Sequence, residues 1–174
     1  IKGEANIDIP KHDGNLKIKK VDLKPKARAY PKAIEAIKKA DLISIGPGDL
    51  YSSLAQILLT NGISQAIKRS KGKKVFICNL MTKYGETNNF SVMDFTKEVE
   101  KYLGSPLDFV IYNTRKPSAH RLEVWRKKHP ELLELVRINE NLDNKKFIGS
   151  DVLLSSGDIV HDSKKVAKTI LSLI

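Results

Sequence analysis

The sequence holds a single cysteine, Cys78. That excludes an internal disulfide and a multi-cysteine zinc site, and it is what a reducing cytosol tolerates. Long apolar runs are missing too. The strongest, at 109–112 and 57–59, fall far below the ~18 residues of a membrane span. No secretory signal is legible, because Lys2, Glu4 and Asp8 interrupt any apolar core at the start. These absences together predict a cytoplasmic location with no membrane span. Aromatic residues are only 6% of the chain, and the RNA-recognition strand motif and zinc-finger spacings are absent. His12, His120, His129 and His161 share no metal-ligand spacing. There is no serine-nucleophile elbow, and no two carboxylates are placed to suggest acid–base hydrolysis. The chain opens on Ile1 rather than Met, which reads as a processed product or a piece of something longer.

Positive charge is what the sequence has in excess: 31 Lys+Arg against 20 Asp+Glu, a net +11 over 174 residues. Lys and Arg neutralise phosphates, so a nucleic-acid partner has to be weighed. The basic residues are scattered, however, at 17–20, 71–74, 126–128 and 164–168, and none forms a block of five or six. They read as a lysine-rich solvated surface rather than a nucleic-acid footprint. With 41% hydrophobic and 29% charged residues, the balance is that of a globular chain. The length favours one domain that buries roughly 70% of its unfolded surface.

Residues 1–26 predict a small β-hairpin-like unit: alternation at 6–9, turn chemistry at Asp13-Gly14, and a returning strand at 16–23. From 27 to 174 the character changes to helices alternating with short apolar strands. Strands are predicted at 42–45, 75–78, 109–112, 136–138 and 147–154. Helices are predicted from Pro31, over 52–59 and 63–69, from Ser91 to a stop at Gly104, over 118–128, and after an Asp162 or Ser163 cap. Such alternation means βαβ units, hence an α/β, Rossmann-like, mostly parallel sheet with helices on both faces.

Three predicted core strands run into polar or glycine-bearing loops at their C-terminal ends, where open α/β sheets bind ligands. After the first come Gly46, Gly48, Asp49, Ser52 and Ser53. This turn either faces an anion with backbone N–H groups and hydroxyls, or is a tight strand–helix turn with Ser52 as cap. Asp49 would repel a bare phosphate; it could cap the helix, accept from ribose hydroxyls, or hold a metal ion, with Mg²⁺ the candidate. After the second strand come Asn79, Thr82, Gly85, Glu86 and Thr87, suited to base and sugar edges or to an ordered surface loop. After the third come Asn113 and Arg115, with Lys116 beside them, as counter-charges or as a solvated turn.

Ala40-Asp-Leu-Ile-Ser-Ile-Gly-Pro-Gly-Asp-Leu-Tyr-Ser-Ser, followed by Cys78-Asn-Leu-Met-Thr-Lys-Tyr-Gly-Glu-Thr, resembles the gluconeogenesis-factor branch of the CofD-like, 2-phospho-L-lactate transferase-like proteins. Gly3-Glu4, Asn61-Gly-Ile and Ile159-Val-His-Asp-Ser-Lys-Lys-Val-Ala add to the likeness. It covers essentially all of this chain but only the C-terminal part of the family's, without that family's N-terminal glycine-rich nucleotide loop. The resemblance implies a Rossmann-like fold and a regulator that binds uridine-diphosphate sugars and acts in carbon-source adaptation and cell-shape control. It adds Tyr51 and Met81, inside the two motifs, to the candidate ligand residues. The sister branch implies the alternative of an enzyme that moves a phospholactyl group with magnesium. Asp49, Lys83-Tyr84 and Asn88-Asn89 depart from the branch pattern, where serine, Gln-Pro and an acidic-Gly pair are usual. The expected partner is a nucleotide-sugar small molecule, with a homo-oligomer left open.

Overall fold

A computed structural model describes residues 1–173 of the chain. At its centre β1 (Leu42–Ile45), β2 (Lys73–Ile77), β4 (Phe109–Asn113) and β6 (Phe147–Ser150) form a parallel sheet in the order β1-β2-β4-β6. Ser44 stands opposite Val75, Phe76 opposite Val110, and Tyr112 opposite Gly149. The strands are short apolar runs without alternation because both faces are covered. Phe76 and Val110 enter one core, their neighbours Val75 and Ile111 the other. A smaller antiparallel pair, β3 (Met81–Lys83) with β5 (Leu132–Leu135), stands beside the sheet.

Helices cover both faces, as the alternation predicts. α2 (Pro31–Lys39), a π-helical turn at Leu50–Leu54 that continues as α3 (Ala55–Leu59), α4 (Ile63–Arg69) and α5 (Val92–Leu103) pack on the first core. α6 (Ala119–Lys128) and α7 (Ser163–Leu171) pack on the second through Leu122, Trp125, Val166 and Ile170. Among the described residues no helix is long and apolar enough to cross a membrane.

Helix α5 shows why local signals worked. Ser91 is its N-cap, the Asp94 backbone N–H donates to the Ser91 hydroxyl, and the Ser91 N–H donates to the Asp94 carboxylate at 2.8 Å. Gly104 closes the helix in the left-handed region, φ +70°. Burial opposes the Asp94 charge, but the Ser91 hydrogen bonds outweigh it and hold the carboxyl below its ordinary range. Ser91→Ala is expected to cost about 1 kcal/mol at neutral pH, a drop of roughly 2–4 °C in Tm. Because the folded pKa is depressed, this stability is present above the ordinary carboxylate range and lost as pH falls through it. The difference between wild type and variant, read from urea midpoints, should therefore shrink toward pH 3.

Three expectations are corrected. No hairpin forms in residues 1–26: Ala5–Asp8 is a short helix, α1, and no strand precedes Leu42. The alternation at 16–23 belongs to an extended strap laid over α5. Ile18 and Val21 pack into the first core, while the Tyr102 hydroxyl accepts from the Val21 N–H and the Lys101 ammonium donates to the Lys19 carbonyl. Side chains, not a partner strand, take the backbone groups. The strand placed at 136–138 lies at Leu132–Leu135 instead, where it pairs with β3, which was read as loop; Arg137 keeps only an isolated bridge to Ser91. The last strand stops at Ser150, because Asp151 turns away to pair with Lys165 and Arg115.

Candidate functional site

The turn after β1 starts at Gly46, whose φ of +76° favours glycine and whose absent Cβ would lie 3.1 Å from the Ile77 carbonyl. The turn delivers the chain to the π-helical segment, whose first N–H groups are unpaired by geometry and attract an anion. An internal anion is already there. Glu86 accepts from the Tyr51 N–H at 2.9 Å, the Ser52 N–H at 3.2 Å and the Ser52 hydroxyl at 2.7 Å, and its side chain is 0% exposed. A phosphate at this turn would have to displace Glu86. Ser53, by contrast, is exposed to solvent.

Asp49, half-buried at the start of that segment, makes no capping hydrogen bond with its side chain. It accepts instead from the Lys83 ammonium at 2.7 Å. Lys83 also pairs with Asp8 of α1 and lies 3.4 Å from Glu86. The carboxylates of Asp8, Asp49 and Glu86 bring oxygens within 4.8 Å of one another, close enough to hold a cation. Burial opposes the charge on Lys83, but the hydrogen bonds to Asp49 and Asp8 prevail and hold the ammonium above the ordinary lysine range.

Asn79 and Asn113, at the C-terminal ends of β2 and β4, line one cleft of about 60 Å³ with Thr114, Arg115 and Lys116 at its polar side and Leu80, Tyr112 and Val136 at its apolar side. The Asn79 amide donates to the Gly48 carbonyl at 3.0 Å, tying the second loop to the first. Its other end, Oδ1, is buried and has no hydrogen-bond partner among the described residues. Asn113 is committed locally: Oδ1 accepts from the Arg115 and Val152 N–H groups, and Nδ2 donates to the Arg115 carbonyl at 2.6 Å. Arg115 pairs with Asp151 at 3.0 Å from an exposed position. The volume holds about two waters, well under the ~300 Å³ of a ligand pocket.

The candidate residues thus separate into groups. Asn79, Asn113 and Arg115 meet at the cleft. Gly46, Gly48, Asp49, Ser52 and Glu86 form the filled turn beside it. Tyr51 and Met81 are core side chains, 2% and 5% exposed. Thr82 is buried in β3 and bonds the Glu134 backbone across to β5. The Thr87 hydroxyl accepts from the Lys83 N–H inside its own loop, and Gly85 lies so close under Pro10 that a Cβ there would stand 2.5 Å from that ring. Sequence reasoning missed Lys83 and Asp8, whose partners lie 34 and 75 residues apart in the chain. It also passed over His161, which hydrogen-bonds the Cys78 carbonyl at 3.1 Å, one residue before Asn79. Burial lowers the His161 pKa against that bond, which favours the neutral ring.

Comparison with known proteins finds relatives over nearly the whole chain. A family profile described as 2-phospho-L-lactate transferase CofD matches residues 1–153. A Thermotoga maritima protein is 44% identical over 160 residues, 88% of this chain and 50% of its own length. A protein named gluconeogenesis factor from Halalkalibacterium halodurans is 36% identical over 98% of this chain and 53% of its own. The crystal structure of a UPF0052 family member from Bacillus halodurans superposes with a TM-score of 0.84 at 32% identity, covering 98% of this chain and 55% of that one. The chain spans about half the length of these relatives.

Proposed function

The chain belongs to the 2-phospho-L-lactate transferase CofD family, and from that membership we propose that it is the part of a gluconeogenesis factor that binds a nucleotide sugar. Its role on this reading is regulatory, in carbon-source adaptation and cell-shape control. The observation that supports it is Asn79: a half-buried side chain lining the cleft, its amide anchored to Gly48 and its Oδ1 a buried acceptor with no partner among the described residues. A buried orphan acceptor costs about 1–3 kcal/mol, and a donor N–H or O–H of a base or sugar removes that cost. Arg115 and Lys116, at the same cleft, are the cations for a diphosphate, since Glu86 fills the helix terminus and its neighbour Asp49 repels anions.

The cleft is too small for a nucleotide sugar as it stands, so the account needs further walls from the longer protein that the relatives represent. Titration of UDP-N-acetylglucosamine by calorimetry should therefore show the full-length gene product binding more tightly than residues 1–174 alone. Each charge-assisted hydrogen bond missing from the short chain is worth roughly 1.5–3 kcal/mol, enough in sum to carry a micromolar site past millimolar. In the full-length protein Asn79→Ala should weaken binding by about 1–3 kcal/mol. Normal binding by a folded Asn79→Ala would make the second loop structural and sink the assignment. The family description keeps transfer of a nucleotide-activated phosphoester as a second reading. Tighter binding of GDP than of UDP-sugars, dependent on Mg²⁺, would favour it.

A further inference from the structure

We infer that Lys83 is the resident cation of the Asp8–Asp49–Glu86 cluster, standing where a divalent ion would otherwise sit, so that this site does not take a divalent cation.

The cluster joins three separate segments: α1 through Asp8, the turn after β1 through Asp49, and the loop after β3 through Glu86. Two oxygens on opposite sides of an ion at about 2.4 Å are about 4.8 Å apart, the spacing of an oxygen-ligated Ca²⁺-type site. The three carboxylates keep their oxygens within 4.8 Å. The space between them is taken. Lys83, its side chain 9% exposed, places its ammonium against Asp8, 2.7 Å from Asp49 and 3.4 Å from Glu86. The ammonium donates to Asp8 and Asp49 and stands 3.4 Å from Glu86, so its neighbours are three carboxylates, which would repel a phosphate. Lys83 is therefore neither a free phosphate ligand nor a general base. It neutralises one of three negative charges and fastens the N-terminal segment to the two loops.

The inference concerns cation binding alone and stands or falls apart from the nucleotide-sugar reading. Its test is a Mn²⁺ titration followed by the loss of the free-ion EPR signal, on wild type, Lys83→Gln and Lys83→Gln/Asp49→Asn. Wild type should leave Mn²⁺ free up to about 1 mM, the weak end of carboxylate sites. Lys83→Gln should bind one ion per chain at least about tenfold more tightly. Its Tm should also rise with added Ca²⁺, as expected for a ligand that binds only the folded state, while that of wild type stays put. The double variant should lose both effects. Should Lys83→Gln not fold in EDTA, refolding in Ca²⁺ asks the same question, and recovery supports the inference. Failure to refold in either condition overturns it, as does Mn²⁺ bound by wild type through Asp49. A folded Lys83→Gln that neither binds Mn²⁺ nor is stabilised by Ca²⁺ would reduce the cluster to an ordinary salt bridge.

Discussion

Glu86→Ala should be among the most destabilising single changes in this protein, by about 3–5 kcal/mol, the range for removing one partner from a buried ion pair. The carboxylate is fully enclosed and accepts from two backbone N–H groups and a hydroxyl at the start of the Leu50–Leu59 helical stretch. Alanine leaves those donors without an acceptor and takes one of three counter-charges from Lys83. Solvent cannot replace them at a buried position. A fall in Tm of about 10 °C or more is expected. Glu86→Gln should lie between wild type and alanine, because its carbonyl still accepts from the two N–H groups while its NH₂ faces the ammonium. If Glu86 only prepared the turn before Ser91, alanine would cost under about 0.5 kcal/mol, as at ordinary surface positions.

Tyr51 carries the second large effect, and two substitutions separate packing from polarity. The ring is 2% exposed, edge-on to Tyr102 with centroids 6.2 Å apart, and its hydroxyl donates to Glu98 at 3.1 Å. Tyr51→Ala removes the ring and is expected to cost about 3–5 kcal/mol. Tyr51→Phe removes one hydrogen bond and is expected to cost about 0.5–1.5 kcal/mol. Burial, with the charge on Glu98, pushes the phenol far above its ordinary value. A raised pKa contributes stability that is present below the unfolded value, near 10, and lost as pH rises beyond it. Urea midpoints between pH 9 and 11 should therefore fall more steeply in wild type than in Tyr51→Phe. Equal slopes would show that the hydroxyl is solvated. If the ring served a ligand rather than the core, alanine would leave stability nearly unchanged.

The parts of this structure legible in the sequence are those set by neighbours along the chain. Ser91, Asp94 and Gly104 bound α5 through contacts three residues apart or through backbone conformation alone. The ends of the three core strands, at Ile45, Ile77 and Asn113, fall within one residue of those predicted, because glycine or asparagine breaks each apolar run. Because parallel strands put their C-terminal ends on one side of a sheet, the adjacency of Asn79 and Asn113 followed from topology. The strap at 16–23 shows the opposite case. Alternation reports that every second residue is covered, and it is the same whether the cover is a sheet or helix α5. The strand at 136–138 was misplaced by a few residues because apolar side chains run from Leu132 to Ile138 with nothing local to set the register. Lys83 was illegible for a stronger reason. A lysine in a polar loop is ordinarily solvated, and only the fold brings Asp8 and Asp49 to it.

On the proposed function a nucleotide sugar is held at the Asn79–Asn113 cleft rather than at the glycine-bearing turn after β1. The side-chain amides of both asparagines give their own cross-peaks in a ¹⁵N–¹H correlation spectrum, so titration of the full-length protein with UDP-N-acetylglucosamine reads the claim directly. Shifts are expected at the Asn79 and Asn113 amides and at the Thr114, Arg115 and Lys116 backbone, with Tyr51 and Ser52, bonded to Glu86, moving little. Saturating shifts confined to residues 46–53, with both asparagine amides unmoved, would contradict it.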